Sequence, residues 1–391
     1  MSSAVLFVVE NDFFPQDSRV YRECRAVAAE RLSYVLAPRA RGQRYTEQVD
    51  GIRCYRYPAF HAPSTLLIPV EYLLALITLA LVIPLIVFVK RVAVVHTANP
   101  PDFIIPAVAW LKLFGVKLIY DVHDVSEETL RGKFADEGLV FHVCATLIRW
   151  LERVSVSLSD LVIATNNSIS SRVTGLSPRK RIVVVRNSNP LIYSKLDEIA
   201  KAGTTDLNVG YFGVLANDSA AGLGNIVSLA ETLERQGVDF TMTIVGDGPG
   251  LPSLQSLVEA ASLNRRFNFK GFIGLPQAYD AIRNFDFGIV SWPDTPKCHL
   301  HTAMKIMDYM CCAVPVCSLR LTEQMYSTNG VGIHADSFES MAKEMVEIYR
   351  NPLEYQALRR NSLERFNTAL KWEIQEARLR AEYKRLMQCS V

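Results

Sequence analysis

The sequence has almost no net charge: 42 lysines and arginines against 40 aspartates and glutamates leave +2 over 391 residues. That leaves no large surface for a polyanion, so nucleic acid is not an expected partner. No C-x-x-C pair or paired cysteine framework occurs among the eight cysteines, which suits a reducing cytoplasm rather than a disulfide-built scaffold. Cys298, His299, His301, Cys311 and Cys312 lie close in sequence, but their spacing matches no standard finger and a helix separates the two flanks, so no metal is expected. The first apolar run, Ala4 to Val9, is short and has no basic lead-in, which argues against a signal peptide. Nor is the composition that of a disordered chain: 49% hydrophobic and 21% charged is a globular balance. The length allows two domains with separate cores.

What the sequence does hold is a succession of short β-branched runs alternating with amphipathic segments. Ala4–Val9 reads as a buried parallel strand, followed by a loop and a helix over 19–30. Further strands are expected at 34–38, 52–57 and 92–96. The stretch VVHTANPPDFIIPAVAWLKLFGVKLIYDVHD then reads strand, loop, helix (103–113), Gly115 stop, strand (117–121) and loop. That is a βαβ unit, so the sheet is parallel and its active loops lie at its carboxyl edge, where His96–Asp102 and His123–Glu128 fall. A long amphipathic helix is expected over 138–158 and strands at 161–165 and 182–186. The segment 197–206, with Gly203, Thr204 and Thr205, reads as a linker. A second doubly wound domain begins at Asn208, and the tail 355–386 is helical with a break near 367–372.

One run stands apart. From Tyr72 to Val89 eighteen residues carry no charge, which meets the length for a transmembrane helix. A single span is not expected, because Val92–His96 follows at once and reads as the next strand of the sheet begun at Ala4. Pro84 would kink a span, and Glu71 stands at its start. Two readings remain for 66–89: an unusually apolar helix buried in the domain, or one whose outer face lies in the membrane surface. The missing polar face favours the second.

The chemistry concentrates between Trp292 and Ser318, in WPDTPKCHLHTAMKIMDYMCCAVPVCS. A helix is expected there from about Thr302 to Cys312, with Lys305 and Asp308 on one face near its start. A cation and a carboxylate beside free backbone N–H groups suit a phosphate and a sugar hydroxyl; the plain alternative is a surface ion pair. Arg19 likewise could simply pair with Glu23, and His123 could be a hydrogen-bonded loop residue.

Lys305-Ile-Met-Asp308-Tyr-Met310 followed by Pro315-Val-Cys317 resembles the donor signature of retaining, GT-B-fold glycosyltransferases of the large sequence family numbered 4. Ile244-Val-Gly-Asp-Gly-Pro249, FNFKGFIG at 267–274, the ANPPD segment and the YDVHD loop are similar to that family too, in a subset associated with bacterial polysaccharide assembly. The resemblance spans nearly the whole chain. It implies an α/β fold of GT-B type, two Rossmann-like doubly wound domains facing across a cleft. Residues 1–196 would form the acceptor-side domain, 197–206 the linker, 207–365 the nucleotide-sugar domain, and 366–391 a helix returning to the first domain.

The same resemblance implies transfer of a sugar from a UDP- or GDP-linked donor to an acceptor hydroxyl. Catalysis would fall to His123, Asp124 and Lys305. The donor would be bound by Gly213, Asn217, Gly222, Gly224, Gly246, Asp247, Phe272, Ile273, Thr302, Ala303, Met304 and Asp308. The acceptor, a lipid-linked or other glycan, would meet Asn11, Asp17, Arg19, Asn99 and Asp102. No cofactor or metal is implied, and the protein would sit in the cytoplasm against the inner face of the cell membrane. Three departures qualify the match. Leu300 stands where the family has the first of two acidic residues. The loop after Val9 lacks a glycine pair, and Val214–Gly224 carries no basic residue. A non-catalytic GT-B scaffold and a nucleotide-sugar 2-epimerase therefore remain alternatives.

Overall fold

The computed structural model describes residues 4–60, 62, 64, 67–131, 138–189, 206–217 and 221–388. The chain divides into two compact units, Met1–Arg186 with Glu376–Val391, and Asn187–Gln375. Of the expected linker at 197–206, only Asp206 is among the described residues.

The first unit is built on eight strands: β1 (Ala4–Val8), β2 (Ser33–Pro38), β3 (Thr46–Val49), β4 (Ile52–Tyr57), β5 (Val92–Ala98), β6 (Lys117–Val122), β7 (Leu161–Ala164) and β8 (Ile182–Val184). Their order is β3-β4-β2-β1-β5-β6-β7-β8, parallel except for the hairpin β3–β4. The apolar, β-branched runs read from the sequence are the central strands, because only a strand covered on both faces can be apolar on both. β1 pairs directly with β5, Phe7 opposite His96. From β1 the chain proceeds to β2 on one side, and from β5 to β6 on the other. Their carboxyl ends thus form the switch point at which doubly wound sheets hold ligands.

The second unit repeats the plan with β9 (Leu207–Phe212), β10 (Phe240–Val245), β11 (Phe267–Gly271), β12 (Phe287–Ile289), β13 (Val316–Leu319) and β14 (Ile333–Ala335). Their order is β11-β10-β9-β12-β13-β14, all parallel. Here the switch point lies between β9 and β12. Both sheets are Rossmann-like, as expected.

The apolar run forms one helix, Ile68–Lys90, with Pro84 inside it. Leu79, Ile83, Ile86 and Val87 pack in the core of the first unit, while Leu73, Leu81, Leu85 and Val89 are each more than half exposed. By length and composition this helix could cross a membrane, but one side of it is anchored in the core and it leads through Arg91 directly into β5.

Two helices differ from expectation. The segment expected as a helix over 103–113 is α-helical only at Ile104–Val108 and tightens to a 3-10 helix at Ala109–Phe114, ended by Gly115 at φ 80°. The helix expected over 302–312 starts at Lys305 and runs to Cys311, and the loop expected before it holds a separate short helix, Pro296–Leu300. The short helix starts at Pro296 under the Thr295 cap and stops at His301, whose backbone is extended. Gln324 holds that break open, its amide donating to the His301 carbonyl at 2.8 Å and its oxygen accepting from Ala303 N at 3.1 Å. The tail runs as a helix over Pro352–Arg365, a π-turn at Phe366–Leu370 and a helix over Trp372–Gln388. From Glu376 it belongs to the first unit, where Arg380 Nε donates to the Ala26 carbonyl at 2.9 Å and Arg181 pairs with Glu382.

Candidate active site

In the second unit, a cavity of about 390 Å³ opens at the carboxyl edge beside β9 and β12. Gly213 ends β9 at φ 137°, and a Cβ on it would stand 3.5 Å from the Lys305 amine. Glycine here lets the Lys305 side chain lie along the strand end, with Nζ 3.5 Å from the centre of the Tyr211 ring. Burial pushes the Lys305 amine down to about 7, with Asp308 pulling it back up. Among the described residues no carboxylate forms an ion pair with this amine. It is held over an aromatic face in a cavity, which prepares it for an incoming anion.

Asp308, among the described residues the one carboxylate lining the cavity, accepts from the Tyr279 hydroxyl at 2.5 Å and from Asn189 Nδ2 at 3.3 Å. Burial and this carboxylate push the Tyr279 phenol up, so it stays a donor and fixes the orientation of Asp308. The backbone around the cavity is as tight as the glycines suggested. A Cβ on Gly246 (φ 139°) would lie 1.9 Å from the Gly213 carbonyl oxygen. One on Gly222 (φ 61°) would lie equally close to the oxygen of Ser291. Gly222 precedes the helix Leu223–Arg235, whose start has no side-chain cap.

In the first unit the switch point holds a buried charged cluster. Arg19 donates to both carboxylate oxygens of Asp121, at 3.1 and 2.8 Å, and to the Val185 carbonyl at 2.7 Å; it also pairs with Glu23 at 2.8 Å. His123 Nε2 lies 2.7 Å from Asp121 Oδ2. Burial would raise the Asp121 carboxyl, but Arg19 and His123 outweigh it and hold it well below its usual range. An ionised Asp121 accepts from Nε2 of His123, which fixes the orientation of the ring. His96 completes the cluster, with Nδ1 2.6 Å from the Tyr383 hydroxyl of the C-terminal helix. Ligand atoms of Glu23, His96 and Asp121 lie within 4.8 Å of one another. The Arg19 guanidinium already supplies the cation between the two carboxylates, so the set does not fit a metal.

The profile of a glycosyl transferase 4-like domain matches residues 17–188, and that of glycosyl transferases group 1 matches residues 206–351. The chain belongs to the GT-B glycosyltransferases. Solved structures share the fold at low identity. Sucrose-phosphate synthase from Thermosynechococcus elongatus aligns at TM-score 0.74 and 16% identity, over 99% of this chain and 100% of that one. HepE from Anabaena in complex with UDP aligns at 0.66 and 14%, over 97% and 99%. WaaG, a glycosyltransferase involved in lipopolysaccharide biosynthesis, aligns at 0.63 and 11%, over 96% and 98%. Among curated protein sequences none matches.

Within this glycosyltransferase, Gly213, Ala303, Met304, Lys305 and Asp308 come together around the cavity. Asn217, Gly222, Gly224, Gly246, Asp247, Phe272, Ile273 and Thr302 are not among its lining residues. Asp247 caps its own turn, accepting from Gly248 N at 2.7 Å, while Phe272 is 84% exposed and Thr302 Oγ1 reaches Glu323 at 3.4 Å. Sequence reasoning missed Tyr211, Trp292, Lys297 and His301, which line the same cavity. Lys297 and His301 stand four residues apart ahead of Lys305, a spacing that could have grouped them.

The expected acceptor residues have other work. Asp17 caps the helix Ser18–Ala28, accepting from Arg19 N and Val20 N. Arg19, only 3% exposed, has its donors committed to Asp121, Glu23 and Val185 and is corrected from acceptor ligand to buried clamp. Asn99 and Asp102 are buried too. Asn99 Oδ1 receives His123 N at 2.6 Å and its amide donates to the Asp124 carbonyl at 2.9 Å. Asp102 accepts from Asn99 and from the Tyr120 hydroxyl. These two residues shape the loop that presents His123 and Asp124. Only Asn11 of the acceptor set is exposed.

Proposed function

We propose that this glycosyltransferase moves a sugar from a UDP- or GDP-linked donor to an acceptor hydroxyl, with retention at the anomeric carbon and without a metal. The observation that carries the reading is the Lys305 amine, set without a carboxylate partner among the described residues in a cavity that also exposes Asp308. Structures of the similarly folded HepE hold UDP or UDP-glucose, which supports a nucleotide-sugar donor. Lys305 meets the diphosphate and, with the uncapped start of the helix Leu223–Arg235, offsets the charge that develops on it. Asp308 holds the ribose hydroxyls. The bond from the anomeric carbon to the diphosphate breaks, the acceptor oxygen bonds to that carbon on the same face, and its proton passes to the departing phosphate. No protein nucleophile is required. His123, oriented by Asp121, and Asp124 position the donor sugar or the acceptor.

The acceptor in this reading is a lipid-linked glycan of cell-surface polysaccharide assembly, met at the cytoplasmic face of the membrane. The exposed side of the helix Ile68–Lys90 and the fold shared with WaaG support it. Titration of UDP and GDP into the protein and into Lys305→Met tests the donor site. One nucleotide binds and the variant loses most of that binding. If neither binds to a folded protein, the non-catalytic reading encouraged by Leu300 takes over. Donor consumed without any acceptor would instead indicate an epimerase.

A further inference from the structure

The apolar surface of the first unit is wider than one helix. The connections β4 to β5, β5 to β6 and β6 to β7 all advance in one direction along the sheet, so right-handed crossovers put their helices on a single face of it. Within that layer the 3-10 helix Ala109–Phe114 lies against Ile68–Lys90, Phe88 meeting Trp110 and Phe114 with ring centroids 6.1 and 5.2 Å apart. The helix Leu139–Leu158 lies next. Lys112 Nζ donates to the Leu158 carbonyl at 2.8 Å, and Ser155 Oγ to that of Asp102 at 2.6 Å.

The outer side of this layer carries many exposed apolar side chains. On the middle segment Leu113 is 86% exposed. On the far helix Leu139, Val143, Leu147 and Trp150 recur at steps of four, four and three, which is one helical stripe, and each is more than half exposed. Phe141 and Ala145 of the same helix are buried, so the stripe is no by-product of a poorly packed helix. Apolar side chains scattered singly need no explanation, but exposed apolar side chains recurring on three neighbouring elements of one layer mark an interaction surface. Its charges say what kind. Lys90 and Arg91 close the first helix, and along the far one Arg153 is exposed beside Arg149, which pairs with Glu127 at 2.9 Å. Indoles at positions 110 and 150 suit the boundary between headgroups and acyl chains.

We propose that the first unit docks on an anionic bilayer through this whole plateau, with Ile68–Lys90 lying flat in the interface and Leu139–Leu158 inserting beside it. The inference rests on the membrane part of the reading above, and adds the second helix and the orientation.

The test uses the full chain and vesicles of phosphatidylcholine, with and without phosphatidylglycerol and with brominated acyl chains. The protein floats with anionic vesicles, and bromolipid quenches part of its tryptophan emission. Trp110→Phe and Trp150→Phe each remove a share of that quenching. Leu147→Glu, at an exposed position that keeps the fold, weakens binding about tenfold or more. If only Trp110→Phe changes the quenching and Leu147→Glu binds as before, the second helix stays out and the plateau is overturned, though the first helix still docks. A wild-type protein that never floats overturns the plateau and the membrane part of the reading together. A concentration-dependent dimer, dispersed by Leu147→Glu and indifferent to vesicles, assigns the surface to a second copy and overturns the lipid.

Discussion

Replacing Lys305 with methionine keeps the length of the side chain and removes its charge, so it isolates what the amine contributes. Among the described residues this amine has no hydrogen-bonded carboxylate, and it lies 3.5 Å from the Tyr211 ring centre. A hydrogen bond from a charged donor contributes about 1.5–3 kcal/mol, which at about 1.4 kcal/mol per decade is roughly a 10- to 150-fold loss of nucleotide affinity. Because burial brings the amine down to about 7, the effect also depends on pH. The amine is about nine-tenths protonated at pH 6 and about one-tenth at pH 8. Wild-type affinity should therefore fall about tenfold more across that interval than affinity of the variant, which carries only the titration of the nucleotide's own phosphate. Calorimetry in buffers of different ionisation enthalpy gives both the constants and the proton taken up near pH 7. Stability runs the other way. Between about 7 and 10.5 the unfolded chain holds a proton at Lys305 that the native protein has released, so wild-type stability rises with pH there. Below pH 7 the native protein bears the cost of a buried charge, and the methionine variant should melt higher. Equal nucleotide affinities, or parallel pH slopes, would refute the assignment.

Three other substitutions separate the parts of the site. Asp121→Asn leaves Arg19 and His123 without their shared anion, and urea unfolding should show a loss of about 3–5 kcal/mol. Its turnover should fall while UDP affinity, a property of the other unit, stays within twofold. Gly246→Ala forces a Cβ against the Gly213 carbonyl at a φ that costs about 1–3 kcal/mol in a non-glycine residue; both melting temperature and UDP affinity should drop, and an unchanged affinity would show that Gly213 does not set the Lys305 position. Tyr279→Phe removes the hydroxyl that orients Asp308, a bond of about 1 kcal/mol, so UDP should bind roughly fivefold more weakly. The same change should leave a 2′,3′-dideoxy nucleotide unaffected if Asp308 holds the ribose.

The parts of this protein that could be read from its sequence are those that a local rule governs. β1, β5 and β6 had to be strands of one sheet because their runs are apolar on both faces, and Gly115 had to end a helix. Lys305 and Asp308 share a helical face whatever the rest of the chain does. What escaped was set by distant partners. The break at His301 is made by Gln324, more than twenty residues on, and it sets half-buried His301 at the cavity while shortening the helix after it. Arg19 looked available to an acceptor because nothing nearby in sequence announces Asp121, which lies 102 residues away. That Asn99 and Asp102 are buried escaped for the opposite reason. Both stand at the correct sheet edge, but edge position alone does not say whether a polar side chain faces a ligand or holds the loop that does.

The substitution at residue 300 reads differently once the helix break is known. Leu300 closes the short helix Pro296–Leu300 and does not line the cavity, whereas His301 just after it and Lys297 one turn before it do. An apolar residue at that point costs the site a carboxylate but leaves the Lys305 amine, the Asp308–Tyr279 pair and the glycine-shaped strand ends intact. In the proposed reading those features concern the nucleotide. In the same reading the missing acid concerns the sugar, and Lys297 and His301, which border its position, are basic residues. Leu300 is therefore weaker evidence for a dead site than for one that holds its donor sugar by different contacts.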